Sequence, residues 1–387
     1  MLVGGGHAHL EVLRVAAARP FAAELVLVSP YARQVYSGMM PAQLRGVWDE
    51  ARLAVELPAL CRAAGARFVE GAAERLDAAP NGAAVRAAGV AVEGDVLSLD
   101  VGAVPAALDV PGARAHAYAV RPLAAWRALV ARLAALAMPN TTPLACCVVG
   151  GGAAGVELSL AVLARAGAAG RAAAVTLVEG GPALLPSWGR QADRVRRLLE
   201  RRGVRVLTGR AVVRVDADAV TLADGTRVPS ALTVWVPGAA ALPLARDAGL
   251  RVDARGFVRV DATLRAVGGA PVWGAGDCVA LDGAPWVPKA GVYAVREAPV
   301  LAHNLRVAAD GSGDAFRRYT PQRHFLAALD TADGRAFVRW RGVTSHSRAA
   351  LALKRAIDAR FVRRYRTVEQ LSLVPCPTSE RVTPRPE

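Results

Sequence analysis

The chain has 387 residues, 53% of them hydrophobic, and a formal net charge of +15. This length and apolar content exclude a disordered or fibrous chain and leave room for two or three domains with buried cores. The charge raises nucleic acid, anionic lipid or an acidic substrate as partners. However, Lys289 and Lys354 are the only lysines, and arginine carries the rest of the charge in a sequence rich in Ala, Gly and Val, a bias that base composition explains as well as selection does.

Cys61, Cys146, Cys147, Cys278 and Cys376 form no C-x-x-C and no zinc spacing, so no metal site is expected. Three of them lie in apolar runs, where a small buried thiol is the ordinary outcome, and a reducing compartment follows. The start shows no basic-then-apolar signal pattern, and no apolar run reaches membrane-spanning length. The expected location is the cytoplasm, or the periphery of the inner face of a membrane.

In chain order, residues 1–28 read as a short strand, the turn Gly4-Gly5-Gly6-His7-Ala8-His9, an amphipathic helix and a second strand. This is the outline of a dinucleotide-binding unit, with His9 where the third Gly of G-x-G-x-x-G belongs and Ser29 where a ribose-binding acid belongs. His9 in that place predicts looser packing at the helix start, and His7 and His9 read as first-turn residues beside a phosphate. The following loop carries Tyr36, Ser37, Gly38, Met39 and Met40, residue types that can line a flat apolar ligand such as a flavin ring. Residues 66–100 alternate as short strands with turns at Pro80-Asn81-Gly82 and Glu93-Gly94-Asp95, and an apolar strand closes at Gly102. Residues 121–138 read as a helix ending before Pro139.

The strongest motif comes next. An apolar run through Val149 meets Gly150-Gly151-Gly152-Ala153-Ala154-Gly155, then a helix, then a strand ending in Glu179. Gly150 permits the tight turn, Gly152 lets backbone approach a pyrophosphate, and Gly155 allows close helix packing. The helix N-terminus offers free N–H groups to the phosphates. Glu179 accepts hydrogen bonds from the adenosine ribose and repels a 2'-phosphate, which favours NADH over NADPH. A basic helix over 193–202, a hairpin turn at Ala223-Asp224-Gly225-Thr226 and a strand closing at Gly238 repeat the plan of the first unit.

The strand over 271–274 then leads to Gly276 and Asp277, placing a carboxylate at a sheet edge where it can accept from ribityl hydroxyls. Lys289 and Ala290 precede a helix whose N-terminus can face electron-rich flavin oxygens. Residues 315–387 carry 15 Arg and Lys against 6 Asp and Glu. Within them 348–366 reads as a helix with Leu353, Ile357 and Phe361 on one face and Arg348, Arg355 and Arg363 on another. Such a basic amphipathic helix suits an anionic membrane surface, or simply packs on its own domain with solvated arginines.

These motifs together resemble the FAD-dependent pyridine nucleotide-disulfide oxidoreductase superfamily, in its branch without redox cysteines. Within it they are most similar to the NADH dehydrogenase-like proteins that occur alone or fused ahead of selenide, water dikinase. The resemblance runs through Gly4 to His9, Ser37 to Pro41, Gly102, Gly150 to Glu157, Gly274 to Asp277, Pro288 to Arg296, Tyr319 to Gln322 and Lys354 to Phe361. It implies an α/β chain of two Rossmann-like dinucleotide-binding domains, for FAD and NAD(P)H, one inserted in the other, plus a small α+β C-terminal domain. The expected division is 1–112 with 252–312 for FAD, 113–251 for NAD(P)H, and 315–387 for the C-terminal domain.

By the same resemblance FAD lies along Gly4, Gly5 and Gly6, with Asp277 on its ribityl chain. NADH lies along Gly150, Gly152 and Gly155, with Glu157 near the nicotinamide and Glu179 on the ribose. Lys289, retained where arginine fills nearly every other basic position, is placed to stabilise negative charge on the flavin. Lys289 and Glu157 are therefore the expected catalytic residues. Gly4, Gly5, Gly6, His7, His9, Ser29, Ser37, Gly38, Gly102, Gly150, Gly152, Gly155, Glu157, Glu179, Gly238, Gly276, Asp277, Lys289 and Ala290 are the expected cofactor contacts. No cysteine pair lies near Ser37 to Pro41, so a disulfide substrate is not expected. A quinone reached from a membrane surface is the leading acceptor; a soluble electron carrier, a selenium compound, or a nucleotide sensor with little turnover are the alternatives. With aromatic residues at 5%, and none paired with a basic groove, nucleic-acid binding is not expected.

Overall fold

The computed structural model describes residues 1–311 and 313–371. Cys376 and the C-terminal part of the expected third domain lie outside the described residues. Two five-stranded sheets organise the chain. The first runs Val272–Gly274, Leu97–Leu99, Leu2–Val3, Val26–Ser29, Arg67–Glu70, with every pairing parallel. The second runs Ala117–Ala119, Leu232–Trp235, Leu144–Val149, Ala173–Glu179, Arg205–Thr208, again all parallel. Parallel strands covered on both faces are buried throughout, and so read as apolar runs rather than as alternation. Leu144–Val149 is such a run, with Cys146, Cys147 and Val148 fully buried.

The two sheets are built to one plan. In each, the central strand leads through a Gly turn into a helix, His7–Ala18 or Ala153–Ala168. A three-stranded antiparallel sheet interrupts each before the second neighbour of that central strand: Ala73–Ala79, Gly82–Ala87 and Val90–Gly94 precede Leu97–Leu99 in one, Val212–Val215, Ala219–Leu222 and Arg227–Pro229 precede Leu232–Trp235 in the other. Since Val272–Gly274 completes the first sheet, the chain leaves that unit, builds the second and returns. The return comes earlier than residue 252: Leu244, Ala245 and Leu250 already pack in the first core, with Leu10, Leu27 and Leu301.

Cross-links hold the units together. Trp126, in the helix Leu123–Leu136, is fully buried and donates to Gln43 Oε1 at 2.8 Å. Arg127 pairs with Glu50, and Arg45 with Asp330.

The C-terminal unit is an antiparallel sheet, Ala327–Asp330, Ala336–Trp340 and Val343–Ser347, followed by the helix Arg348–Leu371. Of the apolar face read from the sequence, Phe361 packs inward and the other two residues do not. Leu351, Lys354, Asp358, Val362 and Tyr365 face inward, whereas Leu353 and Ile357 are 43% and 42% exposed. Lys354 and Asp358 occupy the inner face because they satisfy each other at 2.9 Å, and Lys354 also donates to the Gly38 carbonyl at 2.6 Å. The exposed Leu353 and Ile357 remain an apolar strip among arginines.

Candidate active site

Three elements meet at the first Gly turn. Gly4 (φ +95°) and Gly150 (φ +116°) make the same left-handed turn in the two units, and a Cβ at either would press into the backbone at the exit of the neighbouring strand, at Asp100 or Val236. Gly6 and Gly152 cap the two helices with φ −73° each. Gly155 admits no Cβ, because the Gly150 carbonyl oxygen would lie far inside contact distance. Gly102 (φ +70°) and Gly238 (φ +136°) take positive φ at equivalent exits.

The units differ at the cradle floor. Around Gly152 there is open space within 4 Å of a built Cβ, as a pyrophosphate approach requires. At Gly6 the same position is taken by the carboxyl of Asp100, whose Oδ2 accepts from Ala8 N at 2.7 Å and His9 N at 3.0 Å. Burial pushes this carboxyl up to about 7. Asp100 was not singled out in the sequence; its one signal is a carboxylate closing an apolar strand where the second unit has Val236.

His7 and His9 separate in role. The His9 ring does not face the cradle, which leaves only its backbone N–H on the cofactor side, and the looser packing expected there is absent: the ring is fully buried, with Nδ1 2.6 Å from the Gly4 carbonyl and Nε2 2.8 Å from Ser98 Oγ. It ties the turn to the sheet from behind. His7 Nε2 is buried without a protein partner, beside the rings of Tyr36 and Phe361, which stack at 4.2 Å. Burial holds both imidazoles near 4, neutral at ordinary pH. Ser29 is buried at the end of Val26–Ser29, its Oγ turned to the Tyr31 carbonyl and bordering Gly5.

Asp277 lies just past Val272–Gly274 and pairs with Arg121 at 2.7 Å. Glu297, buried on the helix Gly291–Asp310, accepts from Gly276 N at 2.7 Å and is raised to about 7 by burial. Ala290 caps that helix, and Ser37 Oγ faces its first residue, Gly291. Lys289 donates to the Val279 carbonyl and sits 3.8 Å over the Phe257 ring; burial lowers its pKa. With Asp277 and Glu297 it lines a cavity of about 300 Å³.

The glycine turn, the orphaned His7 Nε2 and Asp277 at the sheet edge fit FAD, with Asp100 as an added acidic neighbour. In the second unit Glu179 accepts from Gly151 N at 2.5 Å and Gly181 N at 2.6 Å, which fixes its carboxylate at the turn where the NADH ribose is expected.

Glu157 faces the other way along its helix from the turn. It is buried, accepts from Asp330 N at 2.7 Å, and is raised by burial to about 7 against the opposing pull of Lys354. A cavity of about 550 Å³ brings Glu157 together with Gly38, Met39, Asp330, Lys354 and Asp358. The Tyr36 hydroxyl hydrogen-bonds Asp358, and burial together with that carboxylate keeps it protonated. Asp330 has no motif in the sequence, and Asp358 has only its place in the Lys354 to Phe361 stretch; the fold brings them together. Lys289 is not in this cavity, so the two expected catalytic residues line separate spaces. Cys61, Cys146, Cys147 and Cys278 are buried and free, and among the described residues no cluster of His, Cys, Asp or Glu could hold a metal ion.

Comparison with known proteins bears on the fold and the family. Among curated relatives, a type II NADH:quinone oxidoreductase of Mycobacterium tuberculosis is 32% identical over 188 residues, 44% of this chain and 40% of that protein. A demethylphylloquinone reductase of Synechocystis is 28% identical over 189 residues, 47% of this chain and 46% of that one. These matches span less than half the length of either relative. Among solved structures, NDH2 of Plasmodium falciparum in complex with NADH superposes with a TM-score of 0.80 at 14% identity, covering 96% of this chain and 97% of that one. The sulfide:quinone oxidoreductase of Aquifex aeolicus gives 0.78 at 18% identity, covering 95% and 91%; at these identities the likeness establishes the fold. The family model described as pyridine nucleotide-disulphide oxidoreductase matches residues 1–304, and the chain belongs to that family of FAD- and NAD(P)H-using oxidoreductases.

Proposed function

We propose that this chain is an NADH-dependent flavoprotein that passes electrons to a quinone at a membrane surface. The observation that carries the reading is the cavity of about 550 Å³ walled by the Ser37–Met39 turn, Glu157 of the second unit and the C-terminal helix. A donor and an acceptor can both reach a flavin ring from such a junction. FAD, once bound, supplies the chemistry that takes a hydride from NADH and passes electrons onward.

The rest is the work of the protein's own groups. Glu179 orients the NADH ribose and disfavours a 2'-phosphate. Glu157, raised to about 7, holds or releases a proton at the cavity floor near neutral pH. Lys354, bonded to the Gly38 carbonyl and Asp358, fixes the turn against the helix and keeps a positive charge beside Glu157. In this reading residues 1–112 with the returning segment form the FAD unit, and 113 to about 243 the NADH unit.

Among the described residues no helix is long and apolar enough to cross a membrane. Contact with lipid is assigned instead to exposed Leu353 and Ile357 on the C-terminal helix, with Trp340 and Val343 at the tip of the adjacent hairpin and arginines around them. The test has two parts. NADH oxidation should be coupled stoichiometrically to reduction of a short-chain quinone. Cosedimentation with anionic vesicles should be lost in Leu353→Asp/Ile357→Asp while quinone reduction in detergent persists. Activity with a soluble iron–sulfur carrier but not with quinone would contradict the proposal.

A further inference from the structure

We infer that Asp100 makes FAD binding proton-linked: the pyrophosphate enters the Gly4–Gly6 cradle beside this carboxyl, and one proton is taken up onto Asp100 as it does so. The inference rests on the assignment of FAD to the first Gly turn and goes beyond it.

The internal duplication supplies the comparison. Gly4 and Gly150 press on equivalent strand exits, which makes Asp100 the counterpart of Val236, and Gly6 the counterpart of Gly152. Where Gly152 faces open space, Gly6 faces both oxygens of Asp100. That carboxylate already holds Ala8 N and His9 N, the helix-terminal donors that a phosphate uses in such a turn. An ionised Asp100 and an incoming diphosphate therefore compete for the same donors and repel each other. A protonated Asp100 still accepts through one oxygen and can donate its O–H to a phosphate oxygen.

The surroundings favour the protonated form. On the first helix, His9 and His7 are buried and neutral. From the returning segment, Gly276 lies so close that a Cβ there would meet Asp100 Oδ1 at 2.9 Å, and Cys278 is a buried thiol. Asp277 is engaged by Arg121, and Glu297 by Gly276 N, and both carboxylates raise Asp100 further. Lys289, the remaining cation, is turned to the Val279 carbonyl. Burial already brings Asp100 to about 7 before any cofactor is present. A dianionic neighbour raises it further, so FAD affinity falls by up to about tenfold per pH unit above 7. The Gly152 turn, with Val236 in place of the acid, lacks this dependence.

The experiment uses the full chain stripped of flavin. FAD binding is titrated calorimetrically between pH 6.5 and about 8.5 in two buffers of different ionisation enthalpy, which counts the protons taken up. The wild type is expected to take up close to one proton at the alkaline end. Asp100→Asn is expected to take up none and to bind FAD with nearly constant affinity. Glu297→Gln, which alters the other raised carboxyl, is expected to retain the uptake. The same uptake in Asp100→Asn overturns the inference. If that variant does not fold, the wild type alone decides: FAD binding at pH 8 without proton uptake overturns it. Failure of the wild type to bind FAD at all would instead refute the cofactor assignment on which the inference stands.

Discussion

Two glycines in the NADH turn, three residues apart, should respond to the same substitution in opposite ways. At Gly155 a methyl group drives into the Gly150 carbonyl, and that carbonyl cannot retreat: Gly150 sits at φ +116° with its N–H bonded to the Val178 carbonyl at 2.8 Å. The helix Ala153–Ala168 must lift, and Val156, Leu160 and Val162, all fully buried, lose packing with it. Overpacking of this kind costs about 1–3 kcal/mol, and the rigid backbone partner puts Gly155→Ala at the upper end. At Gly152 a methyl group meets nothing within 4 Å and the backbone angles suit any residue. Gly152→Ala should leave stability within about 0.5 kcal/mol, since only the unfolded chain is affected. It nevertheless fills the approach to the pyrophosphate and should weaken NADH at least tenfold, about 1.4 kcal/mol. Urea unfolding and fluorescence titration with NADH separate the two. A stable Gly155→Ala, or unchanged NADH affinity in Gly152→Ala, would refute this reading of the turn.

Three further outcomes follow from the site. Glu157, raised to about 7 from 4.5, stabilises the fold fully below its unfolded value, and that contribution is lost as pH rises through about 7. Between pH 5 and 8 the wild type should therefore lose on the order of 2–3 kcal/mol more than Glu157→Gln in unfolding free energy. Lys354→Met leaves Asp358 buried beside Asp330 and should lower stability by about 3–5 kcal/mol, with partial recovery in Lys354→Met/Asp358→Leu, as a double-mutant cycle would show. Glu179→Ser should raise the NADPH-to-NADH ratio of kcat/KM about tenfold or more, measured by steady-state oxidation, by removing the charge that opposes a 2'-phosphate.

The fold was legible because its signals are local. An apolar strand, a Gly turn and an amphipathic helix lie within about thirty residues, and both units announce themselves this way, at Gly4 and at Gly150. The terminal carboxylate of the second unit was legible for the same reason. What the sequence concealed is what tertiary contact decides. The spacing of Leu353, Ile357 and Phe361 marked one apolar face of the last helix, but Lys354 pairs with Asp358 across one turn and reaches Gly38, more than three hundred positions away, so these polar residues turn inward. His9 looked like a phosphate neighbour because it occupies a motif position; its ring finds Ser98 only once Leu97–Leu99 pairs with Leu2–Val3. Asp100 and Glu297 read as ordinary carboxylates until the returning segment closes around them. The early return of the chain at Leu244 was hidden because no composition change marks it.

The central claim is that NADH at the second Gly turn and FAD at the first serve one electron path. The most direct test is an anaerobic titration of the flavin-loaded protein with NADH, followed by absorbance, and then addition of a soluble quinone. The account predicts that stoichiometric NADH bleaches the flavin band and that quinone restores it. A bound flavin that NADH leaves unbleached would contradict it.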